Sequence, residues 1–347
     1  MGTYVVVGAG GVGRHAAQAL SEWGHDVRVV SRHGTDPQIP GVVARAADAS
    51  DPQAMSAVAR GASAIINAAN PRQYHTWQRD WPPLAASLLA AAEDTGAGLV
   101  TVSNLYAYGR VSAPMTEETP IRPAGSKGSI RARMWADALV AHDAGRVRAC
   151  EVRASDYFGP GVGARVSLLN EAVIARAAAG KAVRFPLGDP DAPHSWSYVP
   201  DVGRFAALLA TDERSWGRPW HAPTAPPRSV RQVAADVAGI VGRPTPAVST
   251  YPRWLMSLAR VAPVIRELDE TRHQFDLAFV IDSTAATEVL GVEPTPWRAA
   301  LESTVRSVSS GNVLEPEHAL LGDGGDESAV GGEHPADGEP PAALRGR

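Results

Sequence analysis

Three consecutive valines, Val5-Val6-Val7, run into Gly8-Ala9-Gly10-Gly11-Val12-Gly13, and a helical pattern follows from Arg14 to Trp23. No other stretch constrains the fold as sharply. An apolar strand that ends in G-x-G-x-x-G and feeds a helix is the opening of a βαβ unit. Gly8 suits a tight turn, Gly10 lets the backbone come close to a diphosphate, and Gly13 lets the helix lie against the strand. The helix start presents unpaired N–H groups and a partial positive charge to an anion. Gly8, Gly10, Gly11, Val12 and Gly13 are therefore the first candidate ligand contacts, and a dinucleotide is the expected ligand.

The rest of the N-terminal half repeats the strand–helix rhythm. Strands are expected at 27–30, from 42, at 64–67, 99–102 and 147–152, with helices at 84–95 and 130–142. Strands that alternate with helices predict an α/β fold, a doubly wound parallel sheet of the Rossmann type, over residues 1–160. After Gly159-Pro160-Gly161 the rhythm breaks. Residues 161–310 read as a smaller substrate-binding lobe, with helices at 166–179, 201–210 and 229–241 and returns to the main sheet near 195–225. Residues 311–347, rich in Gly, Glu, Pro and Ala, read as a disordered acidic tail.

Charge and cysteine usage narrow the class. Residues 315–347 carry eight acids and two arginines, a net of −6, so the whole-chain value of −4 leaves +2 on the body. That balance suits a small anionic ligand, and no dense basic stripe points to nucleic acid. The sole cysteine, Cys150, rules out a disulfide framework and makes the cytoplasm the expected setting. No secretory leader and no apolar run long enough for a bilayer is evident. The histidines lack metal-ligand spacing, so no metal is expected. Arginine outnumbers lysine 31 to 2, and only Lys127 and Lys181 keep a readily titratable amine.

The end of the second strand bears on the cofactor. A carboxylate there would accept from the ribose 2′-OH of NAD. This chain has Ser31-Arg32-His33 instead, which suits a 2′-phosphate, so NADP is expected ahead of NAD. Asp48, with Ala49 beside it, follows the third strand. It can bond the adenine amine or cap the next helix, although Asp51 before Pro52 is the better cap.

Four further segments resemble the extended short-chain dehydrogenase/reductases, in the NAD-dependent epimerase/dehydratase family, over roughly residues 1–305. They are Ile65-Ile66-Asn67-Ala68-Ala69, Ser103-Asn104-Leu105-Tyr106-Ala107-Tyr108-Gly109, Arg153-Ala154-Ser155-Asp156-Tyr157-Phe158-Gly159-Pro160-Gly161 and Trp196-Ser197-Tyr198-Val199-Pro200-Asp201-Val202. The resemblance implies that Asn67, Ala68 and Ala69 lie against the cofactor. It also allows a homodimer built on a helix pair.

The departures from the family pattern define the chemistry to be tested. Asn104 stands where the family has its catalytic hydroxyl, with Ser103 just before it. Leu105-Tyr106 replaces the dehydratases' Asp-Glu pair, so dehydration by paired carboxylates is not expected. Counting back from Asp137 places the family's Tyr-x-x-x-Lys on Ser129 and Arg133, which removes the tyrosine and makes Arg133 the group for the nicotinamide ribose. Tyr106 and Lys127 are then the candidate proton donors. Tyr74 and Trp77, after the fourth strand, and His194 and Trp196 are candidates to line a substrate pocket. These residues predict an NADP-dependent oxidoreductase or epimerase acting on a small carbonyl or hydroxyl compound. Two alternatives stand beside it: a non-catalytic NADP(H)-binding sensor or scaffold, and a redox-neutral nucleotide-sugar epimerase or lyase with tightly held cofactor.

Overall fold

The computed structural model describes residues 1–71, 74–163, 166–251, 270–310 and 313–314. Seven parallel strands make the central sheet: β1 (Thr3–Val7), β2 (Asp26–Ser31), β3 (Val42–Ala46), β4 (Ala64–Asn67), β5 (Gly98–Asn104), β6 (Ala149–Ala154) and, after four short strands described below, β11 (Pro219–His221). Their spatial order is β11-β6-β5-β4-β1-β2-β3. The order reverses direction between β1 and β4, and a ligand crevice opens outside the carboxyl ends of the strands at such a point.

The side-chain alternation of the strands builds two apolar layers. Val6, Val27, Val29, Val100 and Val152 face α1 (Gly11–Glu22) and α6 (Val199–Thr211). Val5, Val7, Val30, Ile65 and Leu99 face α2 (Pro52–Ala59), α3 (Trp77–Thr95) and α4 (Ser126–Asp143). Both faces of the sheet are thus buried, which is why its strands read as near-continuous apolar runs. Asp51 caps α2, its carboxylate accepting from Gln53 N at 2.9 Å and Ala54 N at 3.2 Å. Pro82 and Pro83 sit within the first two turns of α3, which starts seven residues earlier than the sequence pattern indicates.

The chain beyond β6 makes β7 (Asp156–Phe158), β8 (Gly161–Val162), β9 (Val183–Phe185) and β10 (Trp196–Tyr198), then β11 returns to the main sheet and β12 (Val248–Thr250) follows. A separate apolar cluster forms here from Phe158, Val173, Phe185, Trp196, Val233 and Leu301, among others. Its helices include a π-helical turn, Asn170–Ala175, that continues into α5 (Arg176–Ala178), α7 (Val230–Ile240), and the helices His273–Asp276, Thr284–Leu290 and Trp297–Ser309. Val313–Leu314 pairs in parallel with Gly161–Val162. The remainder of the expected acidic tail lies outside the described residues. Among the described residues no helix is long and apolar enough to cross a membrane, and no cluster of His, Cys, Asp and Glu is arranged to hold a metal.

Candidate functional site

The glycine loop has a different steric demand at each position. Gly8 sits at φ +105°, and a Cβ on it would lie 2.8 Å from the Ala68 carbonyl oxygen. A Cβ on Gly13 would overlap the Gly8 carbonyl, so the close crossing of β1 and α1 depends on hydrogen at that position. Gly10 differs from both: it caps α1 in extended backbone, and a Cβ there would meet nothing within 4 Å. The space in front of Gly10 is open at the helix end where Gly11, Val12 and Gly13 offer amides with no acceptor inside the helix. A dinucleotide diphosphate fits that cradle.

Flanking groups complete the crevice. Asn67 is buried, and its side-chain oxygen accepts from Ala69 N at 3.3 Å, which fixes the β4 end beside Gly8. Ala68 N donates to Val7 O at 2.9 Å. At the β2 end, the Ser31 hydroxyl accepts from Thr35 N at 3.1 Å, and Arg32 and His33 project outward, exposed. Asp48 is engaged locally: its Oδ1 accepts from Ser50 N at 2.9 Å and Ser50 Oγ at 2.7 Å. Those two bonds hold its carboxyl below the ordinary range, and the Arg32 charge adds a smaller pull in the same direction. Ala49, next in chain, is half-buried.

A second group of residues gathers where α4 meets the turn Tyr106–Tyr108. Lys127, Gly128, Arg131, Ala138 and Ala141 form the buried face of α4. Gly128 approaches the Tyr106 carbonyl so closely that a Cβ would overlap it. Tyr106 and Lys127 consequently line one cleft, together with Glu270, His273 and Gln274. Lys127 Nζ lies 3.7 Å from Glu270 Oε2, with the lysine side chain only 3% exposed. The Tyr106 ring stacks on Trp77 at 6.3 Å between centroids. The Arg131 guanidinium lies 4.0 Å from the Trp81 ring centroid and 5.0 Å from that of Trp77, and it donates to Asn70 Oδ1 and Val102 O at 3.4 Å.

Several sequence expectations change here. Arg133 lies on the solvent face, 78% exposed and paired with Asp137 at 2.8 Å one turn on. Ser129 is exposed as well. The inward-facing pair one turn apart is Lys127 and Arg131, two residues earlier than the count from Asp137 gives. Asn104 spends its side-chain oxygen on Tyr106 N at 3.1 Å, and Ser103 is buried in β5. His194 and Trp196 do not face the cleft with free polar groups. His194 stacks on Phe275 at 4.6 Å and bonds Asp156 Oδ2 at 2.9 Å and Gln274 O at 3.2 Å; Trp196 Nε1 donates to Arg228 O at 2.8 Å. Both are packed into the second apolar region. Trp77 is buried beneath Tyr106, and the side chain of Tyr74 lies outside the described residues.

Three residues outside the sequence expectations make specific contacts in the fold: Arg131 on the Trp77 and Trp81 rings, Glu270 on Lys127, and Asp156 on His194. Only Arg131 carried a local signal, its four-residue spacing from Lys127 on one helix face. A buried polar chain backs the site. Arg153 Nε donates to Glu151 at 2.7 Å, and its NH1 donates to the Tyr108 hydroxyl at 2.8 Å. Tyr108 in turn lies 2.8 Å from His221 Nε2. His221 Nδ1 faces the Asp282 carbonyl at 2.7 Å, which makes Nδ1 the donor and Nε2 the acceptor of the Tyr108 proton. Tyr108 is thereby committed to the core, and Tyr106 is the tyrosine of this turn that faces the cleft.

Residues 4–220 match the family described as NAD dependent epimerase/dehydratase. Solved structures with the same fold include a UDP-glucose 4-epimerase from Thermotoga maritima with UDP-glucose (TM-score 0.72, 20% identity, covering 89% of this chain and 99% of that one). A UDP-glucuronic acid 4-epimerase from Bacillus cereus in complex with NAD gives 0.71 at 13% identity, over 89% and 99% of the two chains. A Thermus thermophilus UDP-glucose 4-epimerase in complex with NAD gives 0.70 at 18% identity, over 88% and 99%. A search of curated proteins returns no match.

Proposed function

Since this chain belongs to the NAD dependent epimerase/dehydratase family, an enzyme family built on a nicotinamide cofactor, we propose that it is an NADP-linked oxidoreductase or epimerase acting on a small carbonyl or hydroxyl compound, with Tyr106 as its proton-exchanging hydroxyl. The observation that carries this reading is the contact of α4 with the Tyr106 turn. Gly128 admits the Tyr106 backbone, and this places the buried Lys127 side chain on the cleft that Tyr106 lines.

The bound nicotinamide supplies a hydride donor or acceptor. The chain supplies the rest. Gly10 and the start of α1 hold the diphosphate, with Gly8, Gly11, Val12 and Gly13 shaping the cradle and Asn67, Ala68 and Ala69 walling it. Ser31 and Arg32 receive the 2′-phosphate, and Asp48 and Ala49 flank the adenine side. Arg131 takes the place of the family's lysine toward the nicotinamide ribose. Tyr106 gives its proton to the oxygen that gains charge when a carbonyl is reduced, and takes one in the reverse direction. Lys127 lines the same cleft, and stacking on Trp77 fixes the ring. Tyr106→Phe is expected to lower kcat by about a hundredfold or more with NADPH affinity unchanged. Full turnover in that variant would overturn the assignment.

Arg32 decides between the two cofactors. Arg32→Asp removes a charged donor for the 2′-phosphate and introduces an acceptor for a ribose hydroxyl. Its expected effect is a fall of about tenfold or more in NADPH affinity relative to NADH, read by fluorescence titration. An unchanged ratio would mean that the end of β2 does not select the cofactor.

The UDP-sugar epimerases among the structural neighbours motivate a second reading, redox-neutral epimerisation with cofactor that stays bound. Cofactor that survives purification and dialysis would favour it. The proposed enzyme works in the cytoplasm on a small molecule, and sedimentation would test a homodimer.

A further inference from the structure

We propose that Glu270 is a positioning residue that clamps Lys127 at the cleft, an inference that rests on the reading of Lys127 and Tyr106 as the working pair. Helix α4 opens at Gly125, which offers no side chain to cap it. The cap comes instead from Glu270, far along the chain. Its Oε1 accepts the backbone N–H of Lys127 at 2.8 Å. Its Oε2 lies 3.4 Å from the Ser126 hydroxyl and 3.7 Å from Lys127 Nζ. One carboxylate therefore grips the same lysine at its backbone and at its amine. Gly125 makes this possible, because a Cβ there would lie 2.6 Å from both Cγ and Cδ of Glu270.

The segment that carries Glu270 is itself anchored. His273 lies 3.2 Å from the Gly109 carbonyl, just past the Tyr106 turn. The Gln274 carbonyl lies 3.2 Å from His194 Nδ1, whose other nitrogen bonds Asp156. Segment 270–274 is thus tied to Gly109 on one side and to His194 on the other, and Glu270 is held in place by more than its bond to Lys127. The two charges are unequally buried, the lysine side chain at 3% exposure and the glutamate at 25%. A cation buried to that degree needs a fixed counter-charge, and Glu270 provides one at the cleft edge.

A plain helix cap would need only the acceptor oxygen, so Glu270→Gln separates the two roles. Glutamine keeps an oxygen for the Lys127 N–H and removes the charge facing Nζ. The chain has two lysines, Lys127 and Lys181, so protein made with 13C-lysine shows two side-chain spin systems, assigned with Lys181→Arg. At one fixed pH, Glu270→Gln is expected to move the Lys127 Cε resonance and leave that of Lys181 in place. It should also lower kcat about tenfold to hundredfold through loss of placement, with NADPH affinity kept, and Glu270→Asp should recover part of that loss. An unmoved Lys127 resonance, or turnover within about twofold of wild type, overturns the inference. Lys127→Met and Tyr106→Phe test the catalytic reading separately. If both are inactive and the resonance in Glu270→Gln is unmoved, the clamp alone is wrong. If both turn over normally, the catalytic reading falls, and the positioning role falls with it whatever the resonance shows.

Discussion

Replacing Arg153 with methionine is expected to lower the stability of the fold by about 3–5 kcal/mol, measured as a lower denaturant midpoint with the slope unchanged. β6 is buried along its whole length. On one face Cys150, Val152 and Ala154 enter the apolar layer against α1 and α6. On the other, Glu151 and Arg153 form an ion pair with both side chains 3% exposed. Methionine fills the volume but leaves the Glu151 carboxylate buried without its cation. It also takes the donor from the Tyr108 hydroxyl and the guanidinium from the face of that ring, 5.0 Å away. Mutating Glu151 and Arg153 together to apolar residues should cost much less than Arg153→Met alone, because the penalty lies in the stranded charge. Equal losses in the single and double variants would show that packing, and not charge, is at stake.

The same network sets how stability depends on pH. Burial pushes the Tyr108 hydroxyl up from 10.0 to about 12, against the opposing pull of Arg153. A raised phenol stays protonated when folded after the unfolded chain has begun to ionise. Its contribution is therefore whole below about pH 10 and is lost as pH rises through about 12. His221 has the opposite shift: burial lowers it from 6.5, with Glu117 opposing. Its neutral form supports the fold above about pH 6.5, and the support is lost as pH falls and the unfolded chain takes up the proton. Denaturation across the pH range should show decline on both sides of that window, and Tyr108→Phe should flatten the alkaline side.

The sequence made the Rossmann half legible because its signals are local. The Val5–Val7 strand, the glycine loop and the strand–helix alternation each sit within a few residues, and the structure keeps them with boundaries moved by a turn or less in most elements. The start of α3 is the exception, since Pro82-Pro83 reads as a break, yet the helix begins at Trp77 and runs through both prolines. The candidate site was less legible. Asp137 is a misleading reference for the register of α4, because it faces water and Val140 on the same helix is 63% exposed. The face that packs inward carries Lys127 and Arg131, so apolar periodicity points away from it. Glu270 and Asp156 reach their partners across long stretches of chain, and no spacing rule in a single sequence predicts such contacts. The place of His194 and Trp196 in the second lobe makes them pocket candidates, but stacking with Phe275 and a bond to the Arg228 carbonyl hold them in the core.

The cofactor cradle yields the sharpest separation of folding from binding. Gly10→Val should leave the melting temperature essentially unchanged, because Gly10 has φ −73° and ψ −177°, a conformation any residue adopts, and its Cβ would project into open space. That space is where the diphosphate must come within hydrogen-bond reach of the α1 amides. A valine there holds the diphosphate away from them, so NADPH affinity should fall by about a hundredfold or more, about 2.7 kcal/mol. Gly13→Ala should behave in the reverse way. Its methyl group would overlap the Gly8 carbonyl and force β1 and α1 apart, so the protein should be destabilised whether or not cofactor is present. Three outcomes of calorimetric titration and thermal melting are informative. Lost binding with an intact melt for Gly10→Val, alongside a depressed melt for Gly13→Ala, supports the cradle. Retained NADPH affinity in a folded Gly10→Val protein would place the dinucleotide elsewhere. A depressed melt for Gly10→Val would show that the space in front of α1 is needed by the protein itself.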